Sequence, residues 1–126
     1  MARRLIVDGM NVIGSRPTGW WRNRRGAMAE LVGELADHAA RSGDDVTVVL
    51  DSKPFDVAAE DVDVRFAPGP GPDAADDVIV DIVAADAEPS TLLVATSDRR
   101  LADRVRMLGA DTIGASALRR ELDSRP

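Results

Sequence analysis

Apolar residues along this chain follow two rhythms. Short continuous runs, Leu5-Ile6-Val7, Val46-Thr47-Val48-Val49-Leu50 and Thr91-Leu92-Leu93-Val94-Ala95-Thr96, predict strands buried on both faces. Val62 to Ala67 and Asp111 to Ile113 predict two weaker strands. Between these runs, apolar positions return every three or four residues. Met28, Leu31, Val32, Leu35, Ala36 and Ala39 predict a helix ending near Gly43. Val78, Ile79, Ile82 and Val83 lie on one face of a helix over 74–87, with Asp73 as its N-cap and Pro89 as its stop. Leu101, Val105 and Leu108 line a third helix, and 115–122 a last one. Ser15 to Arg25 shows neither rhythm and reads as a loop. Pro68-Gly69-Pro70-Gly71-Pro72 can be neither helix nor inner strand and reads as a linker. Strands alternating with helices predict an α/β fold: a three-layer α/β/α Rossmann-like sandwich with a central parallel sheet, as a single domain over 1–126.

Polar residues interrupt this pattern most sharply where strands stop. Three strands run out onto aspartate, at Asp8, Asp51 and Asp98. In a parallel sheet these ends share one edge, the edge where open α/β sheets bind ligands. The helix after Asp73 starts at the same edge and presents Asp76 and Asp77 on its first turns, with Asp81 one turn on. Two bare carboxylates about 4 Å apart repel by about 4 kcal/mol at an effective dielectric of 20, so a convergence of this kind calls for protons or a cation. The donors are all hard oxygens, with no cysteine and a single histidine, His38, placed in the first long helix as a surface or interhelical residue. That set selects Mg²⁺, or Mn²⁺, over zinc or copper. Each acid also has a plainer reading. Asp73 and Asp76 fit an acidic helix start, Asp51 an ordinary turn, and Asp81 a solvated face or a group standing behind the ligands, a place Asp51 could share. Of Ser97 and Asp98, serine is the expected cap, which leaves Asp98 for other work.

Charge changes the picture in one region. A net charge of −6 argues against a nucleic-acid partner, but 16 cations with only one lysine, Lys53, leave the arginines clustered. Arg16, Arg22, Arg24 and Arg25 surround Trp20 and Trp21, and no acid occurs between Gly9 and Ala29. The tryptophans read equally as packing anchors and as base-stacking platforms. Beside an acidic metal site, arginines interleaved with aromatics describe a cleft that grips a polyanion. The absence of cysteine excludes disulfides and thiolate zinc sites and suits a reducing cytoplasm. No stretch reads as a signal peptide or as long enough to span a membrane.

Three segments together resemble a known family. Asp8-Gly9-x-Asn11-x-Ile13-Gly14, Ala75-Asp76-Asp77-x-Ile79 and Thr96-Ser97-Asp98-Arg99 are similar in order and spacing to the NYN domain, in the YacP-like branch of the PIN-like nucleases. Val48-Val49-Leu50-Asp51-Ser52-Lys53-Pro54 and the Ala-Asp-Asp-Val-Ile run also resemble the 5′-nuclease domain of bacterial DNA polymerase I. The NYN resemblance covers Leu5 to about Gly109. It implies a metal-dependent endoribonuclease in which Asp8, Asp76, Asp77 and Asp98 hold Mg²⁺ and Asn11 accompanies them, in line with the cytoplasmic location that the lack of cysteine suggests. The acid at position 77 is shorter than the glutamate many relatives carry, which leaves open which of Asp76 and Asp77 meets the ion. On the present reading Arg16, Arg22, Arg24, Arg25, Ser97 and Arg99, with Trp20 and Trp21, would hold the RNA. The rival reading is a non-catalytic RNA-binding module, ribosome-associated, that uses the same basic cleft.

Overall fold

The computed structural model describes residues 2–71 and 73–124; Pro72 of the expected linker lies outside the described residues. Five strands, β1 (Arg4–Asp8), β2 (Asp45–Leu50), β3 (Val62–Phe66), β4 (Leu92–Ala95) and β5 (Asp111–Ile113), form one sheet in the order β3-β2-β1-β4-β5. Every neighbouring pair is parallel. The helices are α1 (Gly9–Ile13), α2 (Arg24–Ser42), α3 (Ala74–Ala85), α4 (Arg99–Met107) and α5 (Ala115–Asp123).

β1 is central, so its alternating side chains feed two cores. Leu5 and Val7 pack with Met28, Leu31 and Leu35 of α2 and Leu118 and Leu122 of α5. Ile6 joins Ile79 and Val83 of α3 and Leu101 and Val105 of α4 on the opposite face. This gives the expected three layers. β1 pairs with β2 on one side and β4 on the other, so the crevice beyond the carboxyl ends of β1 and β4 is the topological switch point.

The structure departs from the sequence expectations at several boundaries. α1 was not anticipated: Gly9 reads as a turn, yet it opens a one-turn helix. A Cβ at Gly9 would stand 2.8 Å from the Val49 carbonyl oxygen and 2.7 Å from Leu50, so only glycine lets α1 start this close to β2. α2 begins at Arg24, inside the expected loop, because the Asn23 side chain caps it by accepting from the Gly26 N–H at 3.0 Å. Trp20–Arg22 form a 3-10 turn. α3 ends at Ala85 rather than residue 87, and β4 covers Leu92–Ala95 rather than 91–96.

His38 is buried, with Nε2 2.8 Å from the Asp44 carboxylate beneath Arg3, at the amino edge of the sheet. Among the described residues no helix is long and apolar enough to cross a membrane.

Candidate active site

β1 delivers Asp8 to the switch point almost fully buried. Thr96, the residue after β4, donates its hydroxyl to Asp8 Oδ2 at 2.8 Å. The same Thr96 oxygen accepts from the Asp98 N–H at 3.1 Å, so one hydroxyl sets both the Asp8 carboxylate and the turn into α4. On the other side of the crevice, Asn11 of α1 accepts the Ser97 N–H at 2.8 Å. Ser97 in turn accepts from the Ala115 N–H of α5 at 2.9 Å. α1, α4 and α5 are thereby tied together around Asp8.

Capping of α4 differs from the sequence expectation. Asp98 is the cap, its Oδ1 accepting from the Arg100 N–H at 2.9 Å and the Leu101 N–H at 3.2 Å. Ser97 serves α5 instead. Either residue type can cap locally, and the choice is made by a backbone donor 18 positions away. Asp98 Oδ2 makes no bond among the described residues.

The paired acids of α3 separate by helical phase. Asp76 is buried on the stripe that continues through Ile79 and Val83. Asp77 points outward and pairs with Arg104 Nη1 of α4 at 3.2 Å. Asp73 occupies the N-cap position without a capping bond, 3.9 Å from Arg100 Nη1. Asp81 is exposed on α3, and Asp51 is half-buried beyond β2 without a hydrogen bond among the described residues.

Electrostatics joins three of these acids. Burial pushes the Asp8 carboxyl up; the Thr96 and Asn11 hydrogen bonds oppose this, the Asp76 and Asp98 charges add to it, and the result is about 6. Asp76 is likewise raised, by burial first, then by Asp98 and Asp73, against the pull of Arg104. None of Asp8, Asp76 and Asp98 belongs to a salt bridge among the described residues. Nor, among those residues, do any three acid or histidine side chains stand close enough to chelate one ion. That placement still suits Mg²⁺, which keeps several waters and binds through one or two carboxylates plus substrate phosphate. Hard carboxylate oxygens outside any salt bridge among the described residues are the observation in its favour.

The basic segment is partly committed. Arg16 pairs with Asp123 at 3.3 Å, Arg24 lies over the Trp20 ring at 5.7 Å, and Arg25 over Phe55 at 5.2 Å. Arg22 and Arg99 are exposed and unpartnered among the described residues. Trp20 packs on the core, whereas Trp21 is 56 % exposed, edge-on to it. A cavity of about 350 Å³ lies beside Thr96, Ser97, Arg99, Arg106 and Thr112, and another of about 310 Å³ between Ile13, Trp20, Glu34 and Arg119. Arg104, Glu34 and Arg119 were not singled out from the sequence, and Thr96 entered only as part of the Thr96-Ser97-Asp98-Arg99 motif, without a role of its own. For Thr96 a signal existed, a hydroxyl at the very end of a buried strand.

The YacP-like NYN domain family matches residues 5–126. The crystal structure of the W164L mutant of Rae1 (YacP) from Bacillus subtilis is similar at a TM-score of 0.81 and 27 % identity, covering 97 % of this chain and 76 % of that one. A second Rae1 (YacP) crystal structure from the same organism gives 0.78 and 28 %, covering 96 % and 74 %. No curated protein matches the chain. These likenesses support a nuclease-type, RNA-related function. With residues 5–126 matched and the fold shared, the chain belongs to the YacP-like NYN domain family.

Proposed function

We propose that this protein is a metal-dependent endoribonuclease that hydrolyses RNA phosphodiester bonds at the carboxyl edge of β1 and β4. The observation that carries the reading is the set of carboxylates Asp8, Asp76 and Asp98: the Asp76 and Asp98 charges raise the proton affinity of Asp8, that of Asp98 also raises Asp76, and among the described residues no cationic side chain forms a salt bridge to any of the three. These three residues would hold Mg²⁺ or Mn²⁺. Held by these residues, such an ion would supply a water of lowered pKa and shield charge on the phosphate, chemistry that would need no histidine base.

The remaining residues position and grip. Thr96 fixes the Asp8 carboxylate by its 2.8 Å hydrogen bond, and Asn11 braces the loop carrying Asp98 through Ser97. Arg99 and Arg22, exposed and without a partner among the described residues, would meet phosphates on either side, and Trp21 would offer an exposed aromatic ring. Asp77 is left with Arg104.

One observation favours the second reading, an RNA-binding module without catalysis: no three-carboxylate cage is preassembled among the described residues. A single experiment separates the two. Wild type and Asp98→Asn are incubated with labelled RNA and single-stranded DNA in Mg²⁺, Mn²⁺ or chelator. Asparagine caps a helix about as well as aspartate, so the variant keeps α4 and loses only the charge. The expected result is RNA product ending in 5′-phosphate with wild type and Mg²⁺, and none with chelator or the variant. Salt-dependent RNA retention with no product under any metal would overturn the nuclease reading.

A further inference from the structure

The 310 Å³ cavity beside Trp20 takes no part in the carboxylate site. It lies between the Trp20–Arg22 turn, α2 and α5, and is lined by Trp20, Glu34 and Arg119, with Arg16, Asn23 and Glu30 around them. Arg119 is 6 % exposed. Its Nη1 donates to Glu34 Oε2 at 2.8 Å and stands 3.6 Å from Asp123, while its buried Nε has no partner among the described residues. Native structures rarely leave a buried donor unmet, and here the arginine that carries it also lines open volume, with its Nη1 held by Glu34.

The charges on the walls say what class of group completes it. Arg16 and Arg119 are matched by Glu30 and Glu34, so the cavity offers no excess of positive charge to a phosphate. A flat, neutral group with donors and acceptors suits an aromatic ring, a carboxylate and a guanidinium better. A nucleobase is such a group, and aromatic rings are the usual platforms for unstacked bases. Guanine fits the polar pair most fully. Its adjacent N1–H and N2–H donate to a carboxylate, and its O6 and N7 accept from arginine. The volume lies at the small end of the roughly 300–1,000 Å³ range for small-molecule sites, which suits one base. α1 links the two places. It starts after Asp8 and ends at the cavity-lining Ile13, a separation along the helix of about 7.5 Å at 1.5 Å per residue.

We propose that this cavity is a base-recognition subsite that seats one unstacked guanine of the RNA strand, its ring against Trp20, its N–H edge at Glu34 and an acceptor at Arg119. The inference rests on the reading of the chain as an RNA-handling protein, but its test does not depend on cleavage.

The intact ¹⁵N-labelled protein is titrated in chelator with GMP, AMP, CMP, UMP and ribose 5-phosphate, following the Arg119 Nε–H, the Trp20 indole N–H and the Gly19 and Gly26 amides. GMP is expected to shift these signals with at least fivefold higher affinity than the other three nucleotides, and ribose 5-phosphate to leave them in place. Glu34→Gln, which retains an oxygen for Arg119, is expected to remove the guanine preference. Trp20→Leu is expected to weaken all four nucleotides. Absence of shifts, equal shifts from ribose 5-phosphate, or four bases binding alike would each overturn the proposal. GMP binding by a protein that fails to cleave RNA would sink the nuclease reading alone; cleavage without GMP shifts would sink the subsite alone.

Discussion

Two aspartates at opposite edges of the sheet are equally hidden from water, Asp8 at 6 % exposure and Asp44 at 7 %, and their proton affinities move in opposite directions. Burial pushes both carboxyls up. At Asp44 that push is overcome by the Arg3 backbone N–H, by His38 and by the Arg3 guanidinium, whose Nε and Nη2 stand 3.1 and 2.9 Å away, and the result is about 2. Asp8 has one hydroxyl and one backbone N–H against two like charges, and the result is about 6. The amino edge is a finished ion-pair network. The carboxyl edge stops short of completion: Arg104 and Arg100 pair with Asp77 and Asp73, and among the described residues no cation forms a salt bridge with Asp8, Asp76 or Asp98. Burial alone therefore does not mark a functional carboxylate; burial without a partner does.

The sharpest way to break this contrast is through activity. Asp76→Asn and Asp98→Asn should each lower Mg²⁺-dependent RNA cleavage by at least about 100-fold, because even residues behind a metal ligand are worth 10–100-fold in affinity or rate. Asp44→Asn should leave cleavage within about twofold. Single-turnover rates on one RNA compare all three, and equal loss at Asp44 would erase the functional distinction between the edges.

The next effect is on stability, and the same substitution should act with opposite sign. With chelator at pH 8, Asp8→Asn should stabilise the fold by about 3 kcal/mol, since the wild-type carboxyl is held about two pKa units above its unfolded value at 1.36 kcal/mol each. Because the folded pKa is the raised one, the wild-type deficit is absent below about pH 4, grows towards pH 6 and is complete above it. Urea unfolding across that window should show the two proteins converging in acid. Asp44→Asn should destabilise by about 2 kcal/mol at pH 7. Its contribution is present above about pH 4 and is lost as pH falls towards 2, because here the folded pKa is the depressed one. A gain at Asp44 or a loss at Asp8 would overturn the account of both edges.

What could be read from the sequence follows the range of the physics involved. β1, β2 and β4 are buried on both faces, so their apolar runs and the aspartates at or beyond their ends were legible, and with them the parallel sheet. α1 was not, since five residues carry no periodicity and Gly9 signals a turn; its reason for being glycine lies in the Val49 carbonyl of another strand. The exchange of caps between Ser97 and Asp98 depends on Ala115, which no local pattern reveals. The roles of Asp76 and Asp77 were legible in principle. Asp76 shares the i, i+3, i+7 stripe of Ile79 and Val83, whereas Asp77 shares a face with exposed Asp81. His38 gave no such sign, because its partner Asp44 lies beyond the end of its helix.

That helical phase supplies the smallest expected effect and the finest test. Asp77 is largely exposed and its pair with Arg104 bridges α3 and α4 at the surface, so Asp77→Asn should change stability by less than about 0.5 kcal/mol. Cleavage should stay within about threefold of wild type. The charge of Asp77 also raises Asp76, so its removal should move the acidic limb of the pH–rate profile slightly downward and never upward. If Asp77→Asn instead abolished cleavage as completely as Asp76→Asn, the Arg104 pair would have to break when metal and RNA bind. The carboxyl edge would then be completed by rearrangement of α3 rather than by arrival of an ion at acids already in place.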